Sequence, residues 1–293
     1  MSRTQPFIVT ILILTILYSC NKDVVTKQSV EPIKEIQTPA YSPTLTNPVI
    51  NTPIQELRFT EIGQPLVLYY NSWDGNYPNW GYSNINQGEY YHNYSHRVKG
   101  ITALTIHVGE NDLFTNNITK ELYNNPKNKK FTPQFWVNEK FAMDKEANKI
   151  NLCNSDEVIY ETVKSEKLNT DKPYLAARIL GDSLGEIKVE YGVKYRGLVS
   201  SNKHYIMAYL AEDSVRPPNN SIRYDGILRA AADGAYGTPF TETDLNENVF
   251  IRTATFDIAD YNKDELYIVI ALWDKDAQNN YNAICGYHVK VNQ

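Results

Sequence analysis

The sequence has little of what marks several common protein classes. Its 293 residues include 3 cysteines, Cys20, Cys153 and Cys285, too few for a disulfide-rich scaffold. It has no excess of positive charge, since 29 Lys and Arg stand against 34 Asp and Glu. Nucleic acid is therefore not an expected partner. Beyond residue 17, no apolar run approaches the roughly 20 residues that a membrane-spanning helix needs.

The signatures of several enzyme classes are also missing. The sequence has no phosphate-binding glycine loop, dinucleotide fingerprint or nucleophile elbow. His92 and His96 are four residues apart, but the residue after His92 is not the glutamate of a zinc protease. A stretch beginning at Asp274 resembles a calcium loop, yet Asn279 and Cys285 replace the expected glycine and glutamate. We expect no metal, no cofactor and no catalytic residue, and a polar hairpin turn after Asp274.

The amino terminus is the most informative segment. Arg3 precedes an apolar run of eleven residues (7–17), which is typical of a signal-peptide core. The run ends in Leu17-Tyr18-Ser19-Cys20, which resembles a bacterial lipobox, where a peptidase cuts before a cysteine whose sulfur carries diacylglyceryl. The alternative is an ordinary secretory signal with an incidental cysteine. We expect residues 1–19 to be a lipoprotein signal peptide, and acyl chains such as palmitate on Cys20 to hold the protein on a membrane.

Residues 20–55 predict a tether behind the lipidated cysteine. Five prolines punctuate a polar stretch that lacks helical or strand periodicity. A flexible coil of about 35 residues reaches roughly 30–35 Å. Asn21 follows the cysteine in place of the aspartate that retains lipoproteins at the inner membrane. We therefore expect a lipid anchor in the outer membrane of a Gram-negative cell, on its periplasmic or its cell-surface face.

Residues 56–169 predict an α/β unit. Three segments have the apolar and β-branched character of buried strands: 65–70, 101–109 and 129–139. Three others have helical spacing: 81–97, 111–125 and 154–168. The last begins with Asn154 and has Glu157 three residues later, which is typical of a capped helix. This alternation of strands and helices favours an α/β layer.

Residues 170–293 predict an all-β unit. Six segments alternate apolar and polar residues with a period of two: 174–181, 186–197, 203–213, 249–258, 265–274 and 283–291. Turn residues separate them, which favours an antiparallel β-sandwich. We interpret Arg229, with Glu212 and Asp213, as a structural ion pair.

A family resemblance enters at residues 69–81, YYNSWDGNYPNWG. Trp73 and Tyr77-Pro78 after a strand resemble the Trp-Cys-x-x-Cys-Pro corner of thioredoxin-like proteins, and Thr132-Pro133 is similar to the cis-proline loop that faces it. The later stretches resemble motifs of the Omp-twenty-eight-related outer-membrane lipoproteins, in which a thioredoxin-like domain precedes a β-rich domain. These stretches are HYIMAYLAEDSV (204–215), YDGILRAAADGAYG (224–237) and LYIVIALWDKDAQN (266–279).

The resemblance implies a thioredoxin-like domain over 56–169, followed by the sandwich. The two cysteine positions of the corner hold Asp74 and Tyr77, which form neither a thiolate nor a mixed disulfide, so dithiol exchange is excluded there. We interpret Asp74 as a helix N-cap. Cys153 and Cys285 either pair in an oxidising compartment or remain free buried thiols.

Aromatic residues point to a binding surface. Nine Tyr and Trp residues fall within 26 positions from Tyr69 to Tyr94. Flat aromatic faces beside Asn and Asp suit a glycan or an extended peptide. The expected ligand-binding residues are Trp73, Asp74, Tyr77, Trp80, Tyr82 and Pro133. We expect a non-catalytic binding or scaffolding module at the cell envelope, whose partner is a glycan, a peptide or another envelope protein. The alternative is an envelope enzyme, using thiol redox through Cys153 or Cys285 or metal-dependent hydrolysis.

Overall fold

The architecture is that of a computed structural model, which describes residues 57–72, 100–129, 132, 134–146, 149–151, 155–183, 185–197, 203–216 and 224–292. These residues form 15 strands and two α-helices. The strands of the first half are β1 (Glu61–Ile62), β2 (Leu66–Asn71), β3 (Thr102–His107), β4 (Gln134–Val137), β5 (Lys140–Phe141), β6 (Asp144–Glu146) and β7 (Lys149–Asn151). The helices are α1 (Asn117–Tyr123) and α2 (Ser155–Leu168).

The second half is built from strands. They are β8 (Tyr174–Ser183), β9 (Glu186–Lys194), β10 (His204–Glu212), β11 (Ile227–Ala231), β12 (Thr238–Phe240), β13 (Val249–Asp257), β14 (Leu266–Lys275) and β15 (Tyr281–Lys290). Short 3₁₀ turns at Glu242–Asp244 and Lys263–Glu265 lead into two of them. The prediction of a β-rich second half is confirmed.

One nine-stranded sheet runs through both halves. Its order is β15-β14-β10-β11-β3-β2-β4-β5, and β12 pairs with the first residues of β10. β2 and β3 are parallel, as are β3 and β11, whereas β4 is antiparallel to β2. All six residues of β2 and all six of β3 are buried, because both strands lie inside the sheet with apolar side chains packed on both faces.

A second sheet packs on the antiparallel part of the first. Its order is β1-β8-β9-β13. Ile187, Val189 and Phe256 of this sheet lie in the same buried core as Ile268 and Ile270 of β14. This is a sandwich-like arrangement, held by apolar burial from both inner faces.

The predicted boundary between residues 169 and 170 does not interrupt the hydrogen-bonded sheet. Ile227 of β11 pairs with Thr105 of β3, and the Thr105 amide donates to the Gly226 carbonyl at 2.7 Å. The chain before β2 also joins the halves, since Gln64 pairs with Gly286 of β15. Strands assigned by sequence to two domains are therefore neighbours in one sheet, while the domain boundary itself stays a prediction.

The predicted elements and the observed ones agree best in the buried strands. β2, β3 and β4 lie inside their predicted segments to within one residue, and α2 fills its predicted range. Helix α1 is shorter than predicted, because Asn116 caps it by accepting from the Thr119 amide and leaves Leu113 outside. The predicted helix at 81–97 lies outside the described residues.

Candidate functional site at the carboxyl edge of the parallel strands

The described residues bring together the two chain segments that frame the predicted binding surface. β2 ends at Asn71, and β4 begins at Gln134. Tyr70 and Gln134 are paired, so the end of β2 lies beside the start of β4. In sequence, Trp73 follows β2 by two residues, and Pro133 directly precedes β4. The described residues next to both parts of the predicted corner thus belong to neighbouring strands.

The predicted site residues themselves fall outside the described part of the chain. These are Trp73, Asp74, Tyr77, Trp80, Tyr82 and Pro133, and the same holds for Cys20, His92, His96 and Cys153. Their predicted roles remain predictions.

The start of β4 is fixed by a buried glutamine. Gln134 Nε2 donates to the Lys129 carbonyl at 3.0 Å, and its Oε1 accepts from the Lys129 amide at 3.2 Å. The same Oε1 accepts from Trp136 Nε1 at 2.9 Å. These hydrogen bonds connect Lys129 to the first residues of β4.

The end of β3 carries a buried histidine–aspartate pair. His107 Nδ1 lies 2.8 Å from Asp112 Oδ2, and neither side chain is exposed. Asp112 Oδ1 accepts from the Phe114 amide at 2.9 Å, which orients the carboxylate. The rings of Phe114 and Tyr224 meet the imidazole edge to face, at centroid distances of 5.0 and 5.4 Å.

Among the residues that the structure describes, three buried polar atoms around this sheet edge have no hydrogen-bond partner. They are Asn71 Nδ2 at the end of β2, His107 Nε2 at the end of β3 and Thr132 Oγ1 before β4. An unsatisfied buried polar group costs about 1–3 kcal/mol. Open sheets with parallel strands bind ligands at the carboxyl ends of those strands. We call Asn71, His107, Asp112 and Thr132 the polar edge, and it is the candidate functional site.

A second polar cluster lies at the opposite end of β2, and its side chains are hydrogen-bonded to one another and to the backbone. Asn138 Oδ1 accepts from the Leu66 amide at 2.8 Å, and its Nδ2 donates to Glu166 Oε2 at 2.6 Å. Lys140 Nζ lies 2.6 Å from Glu166 Oε1, and buried Lys172 Nζ donates to the Glu166 carbonyl at 2.7 Å.

The charges of this second cluster compensate one another. Burial alone would raise the pKa of the Glu166 carboxyl, but the hydrogen bonds from Lys140 and Asn138 and the charge of Lys172 outweigh it and lower the pKa. Burial lowers the pKa of Lys172 against the attraction of the same carboxylate. The cluster joins the end of α2 to β2 and β4, so its role is structural.

Cys285 is enclosed in the protein core. It is fully buried, and burial raises the pKa of its thiol to about 12, although Lys172 acts in the opposite sense. Gly63 packs directly against the thiol: a Cβ added at this position would lie 2.3 Å from Cys285 Sγ. Because the thiolate is the reactive species, Cys285 is unsuited to thiol exchange at neutral pH.

The turn after Asp274 is the predicted polar hairpin. Asp276 Oδ1 accepts from the amides of Gln278 and Asn280, both at 2.9 Å, and its Oδ2 accepts from Asn280 Nδ2 at 2.8 Å. These hydrogen bonds lower the pKa of the Asp276 carboxyl, the Asn280 side chain having the largest effect. The carboxylate that the calcium interpretation required is therefore engaged in closing the turn between β14 and β15.

The predicted ion pair at Arg229 is confirmed for one of its two acidic partners. Arg229 Nε donates to Glu212 Oε2 at 2.7 Å, and the guanidinium lies over the rings of Phe114 and Tyr261, 5.0 and 5.5 Å from their centroids. Asp213 makes a different contact, accepting from the Gly226 amide at 2.8 Å.

Neither a metal-binding cluster nor a membrane-crossing helix is found among the described residues. In that part of the chain, no three His, Cys, Asp or Glu side chains are grouped as a metal site would need. None of its helices has the length and apolar character for crossing a membrane.

The sequence alone did not point to Asn71, His107 or Asp112. A signal for two of them was present, because Asn71 directly follows one predicted buried strand and His107 lies near the end of another. Polar residues in those positions are expected at the carboxyl edge of a parallel sheet. What the sequence does not give is the parallel pairing that puts them side by side.

No protein-family model and no curated protein sequence matches the chain. Among solved structures, it is similar to HBP35 of Porphyromonas gingivalis, with a TM-score of 0.62 at 10% identity, over 79% of this chain and 76% of that one. This likeness shows a shared fold.

Two further structures match with lower scores. A domain of the outer membrane lipoprotein Omp28 from Porphyromonas gingivalis matches 41% of this chain and 88% of its own at 21% identity, with a TM-score of 0.31. A DUF3823 family protein from Bacteroides ovatus matches 56% of this chain and 77% of its own at 11% identity, with a TM-score of 0.23. An Omp28 outer membrane lipoprotein is thus among the structures that this chain resembles, as the sequence motifs predicted.

Proposed function

We propose that the protein is a lipid-anchored, non-catalytic binding or scaffolding module at the outer membrane, on its periplasmic or cell-surface face. Cys20 carries the lipid, residues 20–55 form the tether, and the folded part presents a ligand-binding surface. The ligand is a glycan, a peptide or another envelope protein. The resemblance to outer membrane lipoproteins supports this location.

The proposal includes a thioredoxin-like first domain without redox activity. The strand order β3-β2-β4-β5 supports it, with β2 and β3 parallel and β4 and β5 each antiparallel to its neighbour. Helix α1 lies between β3 and β4 in the chain, and α2 follows β5. This is the succession that the resemblance to thioredoxin-like proteins implies.

The observation that carries the non-catalytic assignment is the enclosure of Cys285. A thioredoxin-like fold suggests thiol chemistry, yet Asp74 and Tyr77 occupy the cysteine positions of the corner. Cys285 is buried, and the pKa of its thiol is raised to about 12. Binding without thiol exchange is the function that agrees with both facts.

Alkylation of the native protein at neutral pH tests the enclosure. We expect iodoacetamide to leave Cys285 unmodified until the protein is unfolded, as read by peptide mass spectrometry. A Lys164→Cys variant is the matched control, because that side chain is 57% exposed and its thiol should react at once. Modification of native Cys285 as fast as the control would favour the redox alternative.

A thermal-shift screen of the detergent-solubilised mature protein tests the binding function. The probes are defined glycans, peptides and divalent metals, for wild type and a Trp73→Ala, Trp80→Ala variant. A ligand at a hundred times its Kd should add about 2.7 kcal/mol of stability. A Tyr160→Ala variant on α2 is the control for loss of an aromatic side chain. A shift lost only in the double variant supports the predicted surface, whereas a shift kept in it moves the binding site elsewhere.

The alternative function, an envelope enzyme, has its own tests. A Cys153→Ser, Cys285→Ser variant that keeps full function in cells would exclude thiol redox. A chelator that leaves stability and function unchanged would exclude the metal-dependent hydrolase.

A further inference from the structure

One end of the second sheet is a long, regular edge. β13 is the last strand of that sheet, and it spans nine residues, Val249–Asp257, with no proline, no lysine and no register shift against β9. The other ends of the two large sheets are blunted, since β1 and β5 have two residues each and Gln64 bridges β15 at Gly286. A long, regular edge strand is a template for pairing with another chain.

The backbone of β13 directs alternate residues away from β9. The Tyr195 amide donates to the Asn248 carbonyl at 3.0 Å, so the even-numbered residues of this ladder bond to β9. Val249 shows the same alternation, because its N–H and its C=O both bond to the turn before the strand. The N–H and C=O groups of Ile251 and Thr253 therefore point out of the sheet. Within the described ranges, no backbone group bonds to them there.

Arg252 lies between those two residues and carries a charge that no described carboxylate pairs with. It forms no ion pair in the part of the chain that the structure describes, and its buried Nε has no hydrogen-bond partner there. The guanidinium lies 5.1 Å from the centroid of the Phe250 ring. Its charge acts on the Asp244 carboxylate, which accepts hydrogen bonds from Thr241 and not from Arg252.

The sequence of β13 disfavours pairing of this edge with a second copy of itself. Its even-numbered side chains face the core, since Ala254 and Phe256 are buried. Opposite residues of a continuous antiparallel sheet share a face, so Arg252 would meet an even-numbered residue of the copy. Those residues are Phe250, Arg252, Ala254 and Phe256, and none is acidic. Such pairing would bury two guanidinium groups without a carboxylate, which is costly.

We propose that the β13 edge binds an extended segment of a partner protein, which adds a strand and places an aspartate or a glutamate opposite Arg252. Ile251 and Thr253 supply the backbone hydrogen bonds, and Arg252 selects the partner by charge. Every strand pair of the second sheet is antiparallel, so the added strand is antiparallel as well. The residue opposite Arg252 then belongs to a closely spaced pair without backbone hydrogen bonds, which brings the two side chains together.

This inference goes beyond the proposed function, because it names a second binding surface on a different strand. Binding of synthetic peptides to the detergent-solubilised mature protein, read by fluorescence anisotropy, tests it. The probe is the labelled, amidated heptapeptide TVTETVT, whose glutamate and valines share the face that meets Arg252. The matched controls are TVTQTVT and TVTKTVT. We expect the wild type to bind the glutamate peptide at least about tenfold more tightly than the glutamine peptide.

A charge reversal on the protein separates recognition from a structural role. An Arg252→Glu variant should reverse the order and bind TVTKTVT more tightly than TVTETVT. A Lys188→Met variant is the matched control, because it removes a positive charge from β9, where Lys188 pairs with Thr255 on the other face of the sheet. It should keep the preference of the wild type for the glutamate peptide.

Two backbone changes test strand addition itself. N-methylation of the two threonines beside the glutamate removes the N–H groups that face β13 and should abolish binding, whereas N-methylation of the two valines should not. A Thr253→Pro variant loses an N–H that points away from β9, so it should keep its circular dichroism spectrum and lose the peptide. Full binding to the threonine-methylated peptide would overturn the inference, even if the proline variant failed to fold.

Amide hydrogen exchange locates the bound peptide. The amides of Ile251 and Thr253 should exchange fast in the protein alone and slowly with TVTETVT, while those of Phe250 and Arg252, which face β9, should be slow throughout. Slow exchange of Ile251 and Thr253 before peptide is added would show that the edge is already covered, by another segment of the chain or by a second copy. That result would overturn the inference.

The failures of this inference and of the proposed function are distinguishable. Equal affinity for the glutamate and glutamine peptides, or no binding of either, would overturn this inference and leave the predicted aromatic surface untouched. Peptide binding that is lost in the Trp73→Ala, Trp80→Ala variant and kept in the Arg252→Glu variant would place the peptide on that surface. We expect the opposite pattern.

Discussion

The two ends of strand β2 bury polar side chains in opposite ways. At its amino end, Leu66 donates to Asn138, which in turn donates to Glu166, and the lysines around that carboxylate balance its charge. At its carboxyl end, the described part of the chain gives no hydrogen-bond partner to buried Asn71 Nδ2 or to Nε2 of the paired residue His107. Both ends belong to the same buried strand, so burial alone does not explain the difference.

The difference separates a structural cluster from a candidate binding site. Buried polar groups are normally hydrogen-bonded, because leaving one unsatisfied costs stability. Local rules of this kind are most often broken where a protein is built for function. The amino end obeys the rule and fixes α2 to the sheet. The carboxyl end breaks it at the sheet edge where ligands of such folds bind.

The largest expected effect comes from breaking the amino-end cluster. A Glu166→Ala substitution leaves Lys172 buried without its carboxylate, which should cost about 3–5 kcal/mol of unfolding free energy. The measurement is urea unfolding followed by circular dichroism. Lys140→Ala is the control, since the Lys140 side chain is 49% exposed and its loss should cost at most about 1 kcal/mol. Equal losses in the two variants would contradict the structural role of the buried pair.

Asp213 tests whether hydrogen bonds from Gly226 and Tyr267 are enough to offset burial. Burial raises the pKa of its carboxyl from 3.8 to about 6, and the hydrogen bonds from Gly226 and Tyr267 only moderate this. The folded protein therefore holds this proton more tightly than the unfolded chain does. The resulting stabilisation is complete below pH 3.8 and is lost as the pH rises through 6.

An Asp213→Asn variant removes this titration. Between pH 4 and 7, the wild type should lose about 2–3 kcal/mol of unfolding free energy relative to the variant. Urea unfolding at four pH values over that range measures it. Parallel pH profiles of the two proteins would show that Asp213 is charged in the folded state throughout, against the expectation.

The smallest effect is expected at the carboxyl end. An Asn71→Leu substitution removes an unpartnered donor and adds apolar surface, so the unfolding free energy should change by less than about 1 kcal/mol or rise. Asn138→Leu is the comparison at the other end of β2, where loss of the Leu66 and Glu166 contacts should cost about 1–3 kcal/mol, and the φ of 53° at this position adds backbone strain for a leucine. A larger loss of unfolding free energy in the Asn71→Leu variant than in the Asn138→Leu variant would contradict this expectation.

The buried strands and α2 were predictable because their signals are local. Residues 65–70 and 101–109 are continuous apolar runs, and such runs predict strands buried on both faces wherever they pack. β11 was missed, since its sequence ILRAA has the residues of a helix as much as of a strand. It is a strand because β10 and β3 supply partners on both sides.

The candidate site was only half predictable. The sequence pointed to the segment after β2 and to the chain before β4, and the structure places those two strand ends side by side. His107 was not selected, because a single histidine in an apolar strand gives no functional signal by itself. Its importance depends on Asp112, five residues later, and on Asn71 across the sheet.

By itself, the sequence determined the long apolar strands, helix α2, the hairpin after Asp274 and the absence of cysteines from residues 73–78, because each of these depends on neighbouring residues. Only the tertiary structure decided that β11 joins β3, that Cys285 is enclosed, and that Asn71 and His107 share one face with unpartnered atoms. The reason is physical: hydrogen-bond satisfaction and burial depend on residues far apart in the chain, and those come together only when the sheet forms.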